Sequence, residues 1–376
     1  MKVLGIEPYF GGSHRAFLEG LVQFSRHQWT LATLPARHWK WRMRSAPSVL
    51  ADQVAGMFGP HVKDQVFPEL VFCSDMLDLP TWIGFASRKR SLCEWIGHAR
   101  LVTYFHENQW AYPTAAGARL DHHYGYTNLL TADLSDECWF NSAFNRDTFL
   151  TRSREFLRRM PDARDSVDLD RIERCSRIIR PGFKAFQSQR RHQERCNGLR
   201  VGWVGRFESD KRPDRFVALL EDLEANGIRF ELVLLGQRGR QRDAYEQIAS
   251  RFSDQILFDG YCEEVTEYHA RLAEIDVVVS TADHEFFGIA MCEAIWAGAV
   301  PVVPDGLCYP EYVPAALRYR THAQAVEIIR SLESSQTRAK FSKQCRDQIQ
   351  SWTIDQVAAE VDDQFRRLCQ IEQQRR

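Results

Sequence analysis

Short apolar runs alternate with amphipathic stretches along almost the whole chain, and the alternation halts once, near the middle. In the first half, apolar runs at Lys2–Ile6, Trp29–Leu34, Leu70–Cys73, Leu101–Phe105 and Glu137–Phe140 read as buried strands. Helical periodicity follows in Arg15–Ser25, Leu129–Leu134 and Ala143–Arg159, whereas Arg152–Arg177 is charged and weakly patterned. From Gln187 to Arg195 almost nothing is apolar, which marks a linker. The pattern then restarts with strands at Leu199–Val204, Phe230–Leu235, Gln255–Phe258, Asp276–Ser280 and Ala299–Val303. Helices are expected between them at Arg215–Ala225, Asp243–Arg251, Val265–Ala273 and Ile289–Trp296. Three more close the chain, at Ala323–Leu332, Arg338–Gln350 and Ile354–Gln370. Strands alternating with helices pack as parallel sheets covered on both faces. The expectation is an α/β chain of two Rossmann-like doubly wound domains, residues 1–186 and 187–352, with ligand between them and a last helix in 353–376.

Composition agrees with that plan. The 376 residues suit two ordinary domains, and 44% hydrophobic residues suffice for two cores. No apolar run approaches the roughly 18–20 residues that span a bilayer. Residues Met1–Glu7 read as a strand rather than a signal peptide, so a cytoplasmic location is expected. Ten cysteines without a C-x-x-C pair point to free thiols in a reducing compartment, with Cys73, Cys138 and Cys292 as core residues. The histidine and cysteine spacings fit no standard zinc pattern, so no metal is expected. A net charge of −1 gives no global attraction to nucleic acid. Most basic residues are arginine, which suits phosphate clamps but also follows from general composition bias.

Chemistry concentrates at strand ends. Gly205 closes a buried strand and leaves Arg206 and Lys211 on the next loop, at the sheet edge where ligands bind in such folds. A guanidinium and an ammonium so spaced can clamp a diphosphate; a solvated charged loop is the alternative. Further on, His284-Glu285-Phe286-Phe287-Gly288-Ile289 follows a strand and opens a helix. The amides of Phe287, Gly288 and Ile289 are placed to meet a phosphate. Glu285 in that loop and Glu293 a turn into the helix can bond sugar and ribose hydroxyls. The alternatives are a capping carboxylate and a helix-surface residue. Against the latter, Glu293 sits in an otherwise apolar helix, a costly place for an idle charge. Gly236 ends another strand in a turn able to admit a flat base, and Asp168-Leu169-Asp170 mimics a metal-binding pair inside a polar segment.

The E-x₇-E spacing of Glu285 and Glu293, the Gly-Arg…Lys loop and the turn Ala297-Gly298-Ala299-Val300-Pro301-Val302-Val303 resemble retaining glycosyltransferases of the GT-B fold, family-4 type, over residues 199–304. The resemblance implies that Arg206 and Lys211 hold a donor diphosphate, Glu285 touches the transferred sugar and Glu293 the ribose. It also implies a last helix that crosses back to the N-terminal domain.

The N-terminal half narrows this. Glu7-Pro8-Tyr9-Phe10-Gly11-Gly12-Ser13-His14 reads as a loop that opens a helix, with Ser13 as cap and Gly11 and Gly12 permitting close approach of donor phosphate or acceptor. A simple turn is the alternative. Leu34-Pro35-Ala36-Arg37-His38-Trp39-Lys40-Trp41-Arg42-Met43-Arg44 interleaves aromatic and basic residues, as suits nucleobase stacking with phosphate contacts. A membrane-surface or partner patch is the alternative. Phe105-His106-Glu107-Asn108-Gln109 puts a histidine at a strand end, and Phe140-Asn141-Ser142 closes another strand. Together these segments resemble the tRNA-queuosine α-mannosyltransferase family. That resemblance implies mannose transfer from GDP-mannose to the cyclopentene-diol of queuosine in the anticodon of tRNA-Asp.

The expected chemistry is front-face transfer with retention. The leaving diphosphate, held by Arg206, Lys211 and helix amides, takes the acceptor proton while His106 and Glu285 orient the sugar. Ser13, His14, Arg37, Trp39, Lys40, Trp41, Arg42, Arg44, Glu107, Asn108 and Asn141 are the candidates for acceptor or RNA binding. Two rivals stay open: a transferase with a lipid or small-molecule acceptor, and a non-catalytic RNA-binding protein on a transferase scaffold.

Overall fold

The structure, a computed structural model, describes residues 1–58, 66–112, 121–188, 198–237 and 242–373. The linker from residue 189 on, and Arg238 and Gly239 beyond Gly236, lie outside the described residues. The chain forms two compact units, Met1–Gly182 with Ile354–Arg376, and Phe183–Thr353.

Unit 1 runs β1 (Lys2–Phe10), α1 (Gly12–Phe24), β2 (Gln28–Pro35), α2 (Trp39–Met57), β3 (Leu70–Ser74), α3 (Leu79–Ala86), β4 (Arg100–Phe105), α4 (His122–Leu134), β5 (Glu137–Phe140), α5 (Ala143–Arg158), α6 (Leu169–Arg174) and β6 (Ser176–Ile178). Its parallel sheet has the order β2-β1-β3-β4-β5-β6. The strand order therefore reverses between β1 and β3, the switch point where doubly wound sheets open a crevice. Lys2–Phe10 is longer than the apolar pattern suggests, so Glu7 belongs to the strand and not to the loop after it.

Unit 2 runs β7 (Leu199–Val204), α7 (Pro213–Ala225), β8 (Phe230–Leu235), α8 (Arg242–Arg251), β9 (Ile256–Gly260), α9 (Val265–Glu274), β10 (Val277–Val279), α10 (Ile289–Ala297), β11 (Val300–Pro304), β12 (Arg318–Tyr319), α11 (His322–Ser331) and α12 (Ser335–Ile349). Its sheet order, β12-β11-β10-β7-β8-β9, reverses between β7 and β10.

The last helix, α13 (Ile354–Gln373), belongs to unit 1. Its apolar stripe Ile354, Val357, Ala358, Val361 and Phe365 joins the core formed by Val3, Phe17, Leu18 and Leu21. Gly20 makes the approach possible, since a Cβ there would stand 2.3 Å from Ile354 Cγ1. Fully buried Asp362 fastens the helix, accepting bonds from Ser25 Oγ (2.5 Å), Arg26 N (2.7 Å) and Arg26 Nε (3.1 Å).

Two segments differ from expectation. The aromatic-basic stretch opens a helix, α2, whose buried residues Met43, Ala46, Pro47, Leu50, Ala51 and Val54 keep helical spacing. The weakly patterned stretch before residue 177 holds the short α6 and β6. There Asp168 caps α6 through the Arg171 amide (2.8 Å), and Asp170 pairs with Arg154 (3.3 Å).

Candidate functional site

In unit 2 the candidate donor residues gather at the carboxyl edge of the sheet. After β7 the chain turns through Gly205, leaving Arg206 exposed and Lys211 on a short helical turn before α7. The Asp283 amide bonds the Asp210 carbonyl (2.9 Å), and Thr281 Oγ1 bonds the carbonyls of Lys211 (3.0 Å) and Arg212 (2.9 Å). These bonds tie the β7 loop to the loop after β10. Across them Lys211 Nζ donates to the His284 carbonyl and to Glu285 Oε2, both at 2.9 Å, with Asp210 at 3.4 Å. Burial works against the ammonium charge, but Glu285 and Asp210 more than offset it, and the Lys211 pKa is raised. His284 moves the other way, to about 4, through burial and then the Lys211 charge.

The helix that follows is left open at its start. Gly288, at φ +84°, is the N-cap of α10; no side chain caps the helix and no acidic residue lies in its first turn. Glu285 is therefore not a capping carboxylate. A Cβ on Gly288 would be strained by that φ and would come within 2.9 Å of Tyr312 Oη. Phe287 is buried, its carbonyl taken by Tyr312 Oη (3.0 Å) and Cys308 Sγ (3.2 Å), and Ile289 is half-buried.

Beside this cluster lies a pocket of about 430 Å³ lined by Arg206, Gly236, Gln237, Tyr261, Tyr268 and Glu293 among others. Gly236 at φ +152° lets two strand ends meet, for a Cβ there would stand 2.1 Å from the Gly205 carbonyl oxygen. Glu293 accepts a bond from Tyr268 Oη (2.8 Å). Burial raises its pKa to about 7, and the phenol pulls weakly the other way. Its half-buried carboxylate is thus part of a pocket wall rather than a solvated helix surface.

In unit 1 the loop after β4 is held by buried amides. The His106 amide bonds Asp75 Oδ1 (2.9 Å), and its carbonyl accepts Asn141 Nδ2 (2.6 Å). Asn145 holds the Phe105 carbonyl (3.0 Å) and receives Asn108 Nδ2 on its own Oδ1 (2.8 Å), while Asn128 bonds the Gln109 amide (3.1 Å) and the Asp75 carbonyl (2.8 Å). The His106 ring stacks on His14, centroids 3.9 Å apart. Glu7 Oε2 holds His14 Nδ1 at 3.1 Å. Glu7, His14 and His106 are close enough to share an ion, but a face-to-face ring stack does not suit two imidazoles converging on one metal.

A second surface of unit 1 lies at the start of α2. Trp39 packs on Tyr124 (5.1 Å), Lys40 Nζ lies 5.5 Å and 5.7 Å from these rings, and Arg44 lies over Tyr124 at 5.2 Å. Trp41 is 69% exposed, and Arg37 and His38 are exposed beside it.

Both halves of the chain match described families: residues 2–183 match the tRNA-queuosine alpha-mannosyltransferase N-terminal family, and residues 186–348 match glycosyl transferases group 1. The tRNA-queuosine alpha-mannosyltransferase of Drosophila melanogaster is 31% identical over 332 residues, 85% of this chain and 83% of its own length. The chain belongs to the tRNA-queuosine alpha-mannosyltransferase family. It is accordingly a glycosyltransferase. A GDP-mannose-dependent alpha-(1-6)-phosphatidylinositol dimannoside mannosyltransferase of Mycobacterium tuberculosis is 27% identical over 161 residues, 39% of this chain and 40% of its own. Among solved structures, sucrose-phosphate synthase of Thermosynechococcus elongatus superposes with a TM-score of 0.71 at 14% identity, covering 99% of this chain and 100% of its own. Anabaena HepE in complex with UDP superposes with a TM-score of 0.67 at 14% identity, covering 97% and 99%. At such identity the likeness shows the fold, GT-B.

Within this family frame, several sequence assignments change. Ser13 is exposed inside α1, and the N-cap is Gly11, so Ser13 caps nothing. Gly11 is accounted for by packing, since a Cβ there would lie 2.5 Å from Ala36 Cβ; Gly12, at φ +52°, faces open space. Asn108 and Asn141 are buried and internally bonded, which makes them supports of the His106 loop and not acceptor contacts. Glu107 is half-buried and bonds Gln109 Nε2 (2.7 Å). Arg42 is half-buried with its Nε shielded, unlike Lys40 and Trp41. Sequence reasoning missed Glu7, Asp75 and Tyr268. Asp75 follows a strand without any motif, and Tyr268 looks like one aromatic of an amphipathic helix.

Proposed function

We propose that this chain transfers mannose from GDP-mannose to the cyclopentene-diol of queuosine in the anticodon loop of tRNA-Asp, with retention of configuration. The observation that carries the reading is the 31% identity to the Drosophila tRNA-queuosine alpha-mannosyltransferase over 85% of the chain. An intact donor set, Arg206, Lys211, Glu285 and Glu293, supports it and speaks against a non-catalytic RNA-binding protein. The mycobacterial relative, named for its dependence on GDP-mannose, supports the same donor.

In this reading the sugar–phosphate C1–O bond breaks as the acceptor oxygen bonds C1 from the same face. The hydroxyl proton passes to a diphosphate oxygen, so no protein carboxylate becomes a covalent nucleophile. Arg206, Lys211 and the open start of α10 meet the charge left on the diphosphate, without a metal. Glu285, fixed by Lys211, and His106, fixed through both its backbone groups, orient the sugar. Glu293 receives the ribose. Gly236 admits the base. Trp39, Lys40, Trp41 and Arg44 meet the anticodon loop by stacking and phosphate contacts, with the protein working in the cytoplasm.

A lipid acceptor is the second reading, since the mycobacterial relative is named for a phosphatidylinositol dimannoside. Among the described residues no helix is long and apolar enough to cross a membrane. Donor and acceptor choice are tested by following GDP or UDP release with GDP-mannose or UDP-sugars, in the presence of queuosine-containing tRNA, the same tRNA lacking queuosine, or liposomes. Release from GDP-mannose that depends on queuosine, with salt-sensitive tRNA binding, is expected. Release that depends on liposomes instead would move the assignment to the lipid reading.

A further inference from the structure

Glu7 and Ser74 sit on the two strands that flank the switch point of unit 1, and Ser74 Oγ donates to Glu7 Oε1 at 3.0 Å. The same carboxylate accepts the Tyr9 amide (2.7 Å) and binds His14 Nδ1 through its other oxygen (3.1 Å). With Glu7 only 3% exposed, these three bonds fix its position before any substrate arrives. His14 is thereby oriented too, and its second ring nitrogen has no bonded partner among the described residues. The His14 ring stacks on His106, at 3.9 Å between centroids and 29° between planes.

We propose that Glu7 is a positioning residue of the acceptor site, acting through His14, whose second ring nitrogen donates a hydrogen bond to an acceptor hydroxyl. This rests on the reading of His106 as a residue on the transferred sugar. A ring stacked 3.9 Å from His106 lies next to the sugar that His106 would orient, within reach of an acceptor brought to that sugar. The substrate class this fits, on the proposed function, is a vicinal diol or polyol, one hydroxyl oxygen of which accepts a bond from this fixed N–H donor.

The surroundings give the two rings opposite protonation states. His14 faces Glu7 and Tyr9 from β1 and His106 from the loop after β4, with the charges of Asp75, just after β3, and Glu107 acting on it. Burial disfavours its charge, yet Glu7 first and then Asp75 and Glu107 outweigh that, and its pKa rises to about 9. His106 is held well below the ordinary imidazole range by burial and by the His14 charge. At neutral pH His14 therefore carries a charged N–H beside a neutral ring. It donates a hydrogen bond and keeps its proton throughout.

The test is a histidine-resolved NMR titration of the full-length protein with ¹³C,¹⁵N-histidine, assigned with His14→Gln and His106→Gln, together with kinetics of Glu7→Gln. The expected wild-type result is a His14 midpoint near 9 while His106 stays neutral. In Glu7→Gln the His14 midpoint falls to or below the ordinary imidazole value, and kcat/KM for the acceptor drops by roughly 10- to 100-fold. The alkaline limb of the rate profile moves to lower pH, and KM for the nucleotide sugar stays as in wild type. Ser74→Ala, which loosens Glu7 without removing its charge, gives the same changes at smaller size if Glu7→Gln does not fold. A wild-type His14 titrating at the ordinary value would overturn the proposal, as would an unchanged rate profile and His14 midpoint in these variants. Because the titration uses no substrate, a protein that transfers no mannose at all counts against the proposed function and is read separately.

Discussion

The carboxyl edges of the two sheets solve different problems with different means. In unit 1 the His106 loop is tied by buried carboxamides and a buried acid: Asn108, Asn128, Asn141, Asn145 and Asp75. Charges are paired over short distances at both edges, Glu7 with His14 here and Lys211 with Glu285 in unit 2. In unit 2 the edge is built from glycine turns and an open helix start, with Arg206 exposed on an open pocket. Buried amide networks rigidify because every broken bond leaves an unsatisfied group. Glycine turns and an uncapped helix start leave backbone amides at the edge without a side-chain cap. The unit 1 edge is held by buried amide bonds throughout, whereas the unit 2 edge, tied by Lys211 and Thr281, keeps an exposed arginine and an uncapped helix start beside an open pocket.

The largest expected effect falls on the donor edge. Lys211→Ala or Glu285→Ala should lower kcat by about 100- to 1,000-fold while the melting temperature changes little, measured by steady-state kinetics and calorimetry. Near-normal turnover in either would remove the contrast. On the other edge the order reverses. Asn145→Ala strips bonds from Phe105 and Asn108, so it should cost about 2 kcal/mol of stability, seen as a lowered urea midpoint, and activity should fall along with it.

A pH experiment sharpens the difference further. Glu293 has a folded pKa raised to about 7, so the stability this group contributes is complete below its ordinary value and is lost as pH rises through about 7. Glu293→Gln should therefore be more stable than wild type at pH 8 by about 2 kcal/mol, while binding the nucleotide sugar more weakly. Denaturant melts at pH 5 and pH 8 check the sign: at pH 5 the gain should fall to a small fraction of its pH 8 value. The smallest effect is expected at the α2 surface. Trp41→Ala should leave stability and donor binding unchanged and raise KM for tRNA by about 5- to 30-fold. Lys40→Ala should reduce the salt dependence of tRNA binding by roughly one unit of slope.

The sequence discloses these two edges unequally, for physical reasons. Strands Leu199–Val204 and Phe230–Leu235 match their expected bounds because mostly apolar runs, each interrupted by one charged residue (Arg200, Glu231), end at Gly205 and Gly236. Of the candidate donor residues, Arg206 and Lys211 follow the end of β7, while Glu285 follows β10 and Glu293 lies one turn into α10, so local spacing exposes them. The supports of His106 arise from contacts far apart in sequence, such as Ser74 with Glu7 and Asn128 with Asp75, which no local period encodes. Glu7 looked like a loop residue because the apolar pattern stops at Ile6 while the strand continues to Phe10. The helical spacing of Met43, Leu50 and Val54 in α2 was legible, but the aromatic and basic residues at its start obscure it. The α6 and β6 elements, six and three residues long, are too short to show a period at all.

The central proposal is that this chain transfers mannose from GDP-mannose to queuosine with retention of configuration. It is tested most directly by incubating the purified protein with GDP-mannose and queuosine-containing tRNA-Asp, digesting the tRNA, and measuring nucleoside mass and anomeric configuration. The account predicts a gain of one hexose on queuosine alone, in α configuration, lost in Lys211→Ala. An unmodified queuosine alongside full conversion of a lipid or small-molecule acceptor, or a β-linked product, would contradict it.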